Sequence, residues 1–266
     1  MEILSFDFMI RAFVAGLAIA VVAPLIGTFL VAKRYALIAD SLAHISLAGV
    51  AAGVLIGINP VLSALVVAVV AGFLIEKLRS GGHLSGEVAL AMFLTSGLAI
   101  AVVLIGVAQK ANVDLFAYLF GSITTVQSLD LWLIVPLAVV VTLLSVLLYK
   151  ELAYVTFDDE QARVSGLPIA FLNYTLVSLA AITVVISLRI VGGLLVGALM
   201  VIPVASAMQV ARSFKQTMIL AVGFGVLSVL VGLCLAYYLN LAAGGTIVIT
   251  SLALFALALL WRKAGE

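Results

Sequence analysis

Nine apolar runs of about 20 residues constrain this chain more than any other feature; they fall near 9–32, 35–57, 59–76, 86–108, 129–149, 169–188, 191–211, 216–239 and 244–262. A helix of that length crosses about 30 Å of hydrocarbon and satisfies its own backbone where water cannot. With 66% hydrophobic and only 9% charged residues among 266, the chain has too little polar surface for a soluble domain, where about 25% charge is usual. The sequence therefore predicts an all-α integral membrane protein, a polytopic bundle of eight to nine transmembrane helices. The lower count holds if one run re-enters or lies flat. Joints are short except at 77–85, 109–128 and 150–168, so most neighbouring helices are expected to be antiparallel hairpins. No tract reads as a linker, and residues 1–266 are expected to form a single transmembrane domain.

Charge narrows the class further. The net charge of +1 gives no footprint for nucleic acid, and the lone cysteine, Cys234, excludes a disulfide or thiolate cluster within one chain. Glu2 and Asp7 precede the first run, which from Met9 to Val31 is longer than a signal-peptide core, so it is expected to be a retained span. With the N-terminus outside, Lys33, Arg34, Lys77, Arg79, Lys150, Arg163, Arg212, Lys215, Arg262 and Lys263 are cytoplasmic. That is ten of the thirteen basic residues, with Arg11, Lys110 and Arg189 left outside, and the bias selects an outer N-terminus and a cytoplasmic C-terminus.

Away from the ends of the runs, ionisable side chains occur at one place, Asp40-Ser41-Leu42-Ala43-His44. An aspartate deep in a membrane helix costs about 2.5–3.5 kcal/mol on insertion scales, so it normally faces a cavity or a partner. Residues four apart share a helix face about 6 Å apart along the axis, so Asp40 and His44 can reach one ligand. Carboxylate oxygen and imidazole nitrogen are both zinc donors, yet two fall short of four. A second copy of the chain meeting the first on a dimer axis would supply the rest. A proton relay and a hydrogen-bonded brace use the same two residues and stay open as alternatives. One tension is visible: counted from Tyr35, Asp40 lies only about 7.5 Å into its helix, so either the turn at Lys33-Arg34 is drawn into the protein or the site is off-centre.

Other features have plainer readings. Gly49, Gly53 and Gly57, and again Gly193 and Gly197, recur at four-residue spacing and predict close helix packing. Pro203 is expected to kink its helix. His83 reads as a solvated loop residue, and Arg189 as a residue that snorkels to lipid phosphate, with an inward orientation into the pathway as the alternative. Asn112 and Asp114 belong to an outer joint, where Phe116, Tyr118 and Phe120 form an interfacial aromatic cluster. Phe157 to Pro168 opens with Asp158-Asp159-Glu160 and stops at Gly166-Leu167-Pro168, so it predicts a short cytoplasmic helix that could serve a soluble partner as a handle. The chain carries no G-x-x-x-x-G-K-[ST], H-E-x-x-H or G-x-S-x-G; it cannot cradle ATP alone and offers no hydrolase motif. A non-catalytic protein is expected, with energy supplied by another subunit or, as the alternative, by a proton gradient acting through Asp40 and His44 in a secondary metal transporter.

Several stretches, taken in order, resemble the ZnuB-like family of zinc and manganese ABC permeases. They are Pro24 to Arg34, Leu37 to Val50 with Asp40-Ser41-Leu42-Ala43-His44 inside it, Asp114 to Ile123, Phe157 to Pro168, and Arg189 to Ala205. The resemblance implies a permease domain related to those of cobalamin and siderophore importers, with fewer helices, in a prokaryotic cell membrane. It implies a homodimer or a pair with a homologue, and an extracytoplasmic metal-binding protein that delivers the ion. It also implies a cytoplasmic ATPase pair gripping a coupling segment at 151–168 around Asp159, Ala162 and Gly166. Asp40 and His44 match the family's metal ligands, with Gly49, Gly53, Gly193, Gly197 and Pro203 in packing or gating positions. No permanent cofactor is implied; zinc, manganese or iron is cargo. The form Ser-Leu-Ala-His-Ile-Ser-Leu-Ala-Gly resembles the zinc-type members more than the manganese-type ones.

Overall fold

A computed structural model describes residues 6–81, 85–107, 115–122 and 126–265. The readings of His83, Lys110, Asn112 and Asp114, and of the Phe116 side chain, lie outside the described residues. The described chain is helical nearly throughout: α1 (Asp7–Ala32), α2 (Ile38–Ile56), α3 (Pro60–Ser80), α4 (Gly86–Val107), α5 (Leu115–Phe120), α6 (Ser128–Leu147), α7 (Tyr149–Phe157), α8 (Asp159–Val164), α9 (Ile169–Ser187), α10 (Val196–Val210), α11 (Phe214–Leu239) and α12 (Ala243–Gly265). Eight of these, α1, α2, α3, α4, α6, α9, α11 and α12, are long and apolar enough to cross a membrane.

The predicted run at 191–211 is the exception. Its helix α10 has 15 residues, about 22 Å of length, because the chain from Arg189 to Leu195 folds as a turn against α5. Gly193 N–H donates to Tyr118 O at 2.8 Å, Leu194 N–H to Leu119 O at 3.1 Å and Ser122 N–H to Arg189 O at 3.2 Å. Non-helical backbone survives in a membrane protein only where such internal partners exist. Gly121 and Gly192 have φ of 74° and 87°, open to glycine without strain. A Cβ on Gly192 would meet the backbone of Leu119, Phe120 and Gly121, and one on Gly244 would meet Val191 O and, at 2.6 Å, Phe120 O. Three segments therefore touch main chain to main chain at this end of the bundle, the Arg189 end.

Helices start and stop where their sequence directs. Asn59 caps α3 by accepting from the N–H groups of Val61 and Leu62, with Pro60 at the first helical position. Gly57, in the left-handed region, closes α2. Hydroxyls inside the spans turn back on their own helix, as Thr28 does to Pro24 O and Ser46 to Leu42 O, so that they need no water.

Helices α1, α2 and α9 form the interior, and α4, α6, α11 and α12 surround them with largely exposed apolar faces. Small residues set the approach distances. A Cβ on Gly49 would lie 2.7 Å from Ala64 Cα, and one on Gly53 would lie 2.7 Å from Ser63 Cβ, so α2 and α3 touch closely there. Gly225 of α11 faces the Pro24 ring of α1, while Gly27 of α1 lies under Met200 of α10. Pro203 is buried within α10, and the helix continues through it.

Several charged residues that the sequence places at an interface are instead drawn into the bundle. Arg189 does not snorkel: its guanidinium lies 3.4 Å from Asp130 and 5.0 Å from the centre of the Tyr118 ring. Asp130 is 5% exposed and also closes the cap of α6 by accepting from Gln127 N–H. Near the other end, Glu76 is 2% exposed and holds Arg79 through two hydrogen bonds of 2.8 and 2.9 Å, and Arg79 covers the ring of buried Tyr35. Charges are tolerated there because each meets its opposite.

Two outcomes follow from this packing. Gly27→Ala forces a methyl onto the Met200 carbonyl and should cost about 1–3 kcal/mol, whereas Gly223→Ala, with nothing within 4 Å, should be neutral or mildly stabilising; thermal unfolding in detergent compares them. Arg189→Met strands Asp130 and should destabilise by about 3 kcal/mol, with much of the loss recovered in Arg189→Met/Asp130→Leu, as read by the same measurement.

Candidate metal site

Asp40 and His44 both lie on α2, one turn apart. Both are partly exposed, while Ser41, Leu42 and Ala43 between them are buried. Asp40 faces α10 at Gly197: a Cβ on that glycine would collide with Asp40 Oδ1 and sit 2.9 Å from its Cγ. Only hydrogen at position 197 leaves the carboxylate where it is. Gly197 lies in the first turn of α10, where the helix end carries partial positive charge that favours an anion. On the next turn of α2, Gly97 of α4 packs on the backbone of His44 and Ile45, at 2.8 and 2.7 Å from a Cβ placed there. Gly193, further along, faces Leu47 and Leu188. Ser41 Oγ lies 2.9 Å from Leu90 O and 3.1 Å from Leu37 O, which fixes α4 beside this turn.

His44 Nδ1 is buried without a hydrogen-bond partner among the described residues. Buried polar atoms are nearly always satisfied, so such an atom calls for an explanation. Tyr35 Oη, Glu151 Oε2, Arg189 Nε and Ser251 Oγ share the condition, but His44 alone combines a ligand nitrogen with a carboxylate one turn away. No hydrogen bond joins Asp40 to His44 among the described residues, so the brace reading lacks its defining contact. No group of three or more His, Cys, Asp or Glu side chains that could hold a metal occurs among the described residues. One chain thus offers two donors here, fewer than a closed site requires.

The depth of Asp40 is explained by the turn before it. Tyr35 is buried, Arg34 takes φ of 58°, and Tyr35 N–H donates to Leu30 O at 2.7 Å. This turn is covered by the segment following α6, which forms two helices, α7 and α8, where the sequence suggested one. Lys33 Nζ reaches Val155 O in α7 at 3.3 Å, Asp159 Oδ1 in α8 at 3.1 Å and Asn173 Oδ1 in α9 at 2.6 Å. Burial pulls the Lys33 ammonium below the ordinary lysine range, and the Asp159 carboxylate pushes back. Lys33 and Tyr35 are thus drawn into the protein, while Arg34 and Leu37 stay exposed and Asp40 is partly buried.

Asp159 begins α8, which is capped by Asp158 accepting from Glu160 and Gln161 N–H. Ala162 is wholly buried. Gly166 takes φ of 79° after the helix; Gly166 N–H donates to Arg163 O and Leu167 N–H to Ala162 O, the paired bonds of a left-handed helix stop. Val164 is 90% exposed, an apolar side chain standing out from a charged segment. Sequence reasoning missed Lys33, Asn173 and the Asp130–Arg189 pair as interacting residues. Their only local signal is a charge or amide close to the end of an apolar run.

Comparisons with known proteins agree with this architecture. The chain is 37% identical over 263 residues to a Treponema pallidum (strain Nichols) protein named "Probable metal transport system membrane protein", covering 99% of this chain and 98% of that one. It is 34% identical over 251 residues to the manganese import system permease protein ScaB of Streptococcus parasanguinis, covering 94% and 89%. Among solved structures it matches a chain of PsaBC from Streptococcus pneumoniae in complex with Fab, with a TM-score of 0.88, 29% identity, and 99% and 97% of the two chains covered. Residues 5–262 match the ABC 3 transport family, and the chain belongs to that family.

Proposed function

We propose that this chain is the membrane-spanning subunit of an ATP-driven importer of divalent transition-metal ions, with Asp40 and His44 as the ligands that the ion meets on its way. The observation that carries the reading is the pairing, one turn apart on a central helix, of a carboxylate seated against Gly197 and an imidazole whose buried Nδ1 has no partner. Two donors from each of two copies would complete a four-ligand site, so a homodimer, or a pair with a homologue, is the assembly proposed. Incomplete coordination within one chain suits an ion that must also leave.

The ion is proposed on the relatives and the donor set together. Several relatives are named as manganese import or transport proteins, among them the Streptococcus parasanguinis permease and one from Listeria monocytogenes at 29% identity, which favours manganese over the zinc-type leaning of the sequence. Carboxylate suits manganese and imidazole suits zinc, so we place manganese first and zinc second. Lys33, Arg79 and the α8 segment share one end of the bundle, and the concentration of basic residues there supports reading it as the cytoplasmic end. There α8, with exposed Val164 and its acidic first turn, is proposed to receive the ATPase subunits. An extracytoplasmic binding protein would deliver the ion at the Arg189 end.

Uptake of radioactive manganese and zinc by proteoliposomes holding the permease, its ATPase and its binding protein tests the reading. Asp40→Ala and His44→Ala should each lower uptake at least about tenfold at unchanged permease abundance, and Gly197→Ala should do the same by displacing the Asp40 carboxylate. Unchanged uptake in the two ligand variants would remove the site. Uptake by the permease alone under a pH gradient would replace the ATP-driven reading with a secondary carrier.

A further inference from the structure

We propose that Lys33 is a positioning residue that transmits movement of α8 to the first turn of α2, and so to Asp40. This rests on the reading of α8 as the ATPase-contacting helix. The ammonium has three N–H donors and three acceptors within 3.3 Å, contributed by α7, α8 and α9. Its side chain is 8% exposed, while that of Asp159 is 41% exposed. Asp159 therefore lies between the open face of α8 and a buried cation, with one carboxylate oxygen on Lys33.

From Lys33 to Asp40 the chain has little slack. Lys33 N–H donates to Phe29 O, Arg34 N–H to Val31 O, Tyr35 N–H to Leu30 O, Ile38 N–H to Tyr35 O and Ala39 N–H to Ala36 O. The Tyr35 ring is held under Arg79, which Glu76 fixes to α3. A displacement of α8 that pulls on Lys33 therefore turns a short braced segment instead of being absorbed by a loose loop. The end of that segment carries the carboxylate against Gly197. Coupling through a contiguous, stiff connection of this kind requires a demonstrated response at both ends.

The test uses the full complex of permease and ATPase in proteoliposomes, with the metal-binding protein supplied for the transport readout. A nitroxide is placed at Leu37→Cys, which is exposed and precedes α2, in a Cys234→Ser background. ATP with vanadate should change the nitroxide spectrum in the Lys33 protein, and Lys33→Met should abolish that change while the ATPase still co-purifies. Metal ions moved per ATP hydrolysed should fall about tenfold in Lys33→Met. Asp159→Ala should act in the same direction, and Asp159→Asn, whose amide oxygen still accepts from Lys33, should act less. A spectrum that responds equally in Lys33→Met, or that is silent in the Lys33 protein, overturns the proposal. So does loss of the ATPase from the complex in Lys33→Met, which would make Lys33 a structural tether only. If Lys33→Met does not accumulate, Asp159→Ala decides by the same two readouts. The spectral readout does not require metal, so failure of the metal reading, registered by Asp40→Ala and His44→Ala, is separate from failure of this one.

Discussion

Hydrocarbon gives a polar group no partner, and nearly every feature of this bundle is an answer to that condition. Hydroxyls return to carbonyls one turn back in their own helices, and the turn from Arg189 to Leu195 gives its backbone to α5. Buried charges find their opposites: Asp130 with Arg189, Glu76 with Arg79, and the buried Lys33 with the more exposed Asp159. Against that background Asp40 and His44 stand apart. They lie one turn apart on a central helix, and among the described residues the only opposite charge beside either of them is the other.

The surroundings of the pair are as informative as the pair. Glycines at 97 and 197 bring α4 and α10 onto α2 with no side chain between backbone and site. The Asp40 carboxylate and the His44 backbone thus lie directly against neighbouring main chain. In the turn before them Tyr35 is buried and Lys33 is held by α7 and α8, while Arg34 and Leu37 are exposed.

The sequence alone disclosed the spans well, because apolar length is a local property and the lipid rule acts residue by residue. Run 35–57 lost only its first residues, Tyr35 to Leu37, to the turn. Run 191–211 is the one that separates the counts of eight and nine: its helix starts only at Val196, because Gly192-Gly193 marks a break within residues otherwise apolar enough for a span. Asp40 and His44 were legible for the same local reason: charge amid hydrocarbon shows in any window. Lys33 was not. Its acceptors lie 122 to 140 residues away, and only the packing of α1 against α7 and α9 brings them together. Arg189 was misread for a like cause, since Asp130 approaches it from α6. In membrane chains the spans belong to the pattern, while the pairing of charges belongs to the tertiary structure.

The glycine contacts at the Arg189 end carry a mechanical consequence. Where Gly121, Gly192 and Gly244 press peptide against peptide, no rotamer can flip to let something by. A passage through that seam cannot be made by a single swinging side chain, as in a gate of aromatic or aliphatic plugs. It requires whole segments to part together, giving up several main-chain bonds in one event. Separation of these segments is therefore cooperative, because the main-chain bonds that join them are lost together.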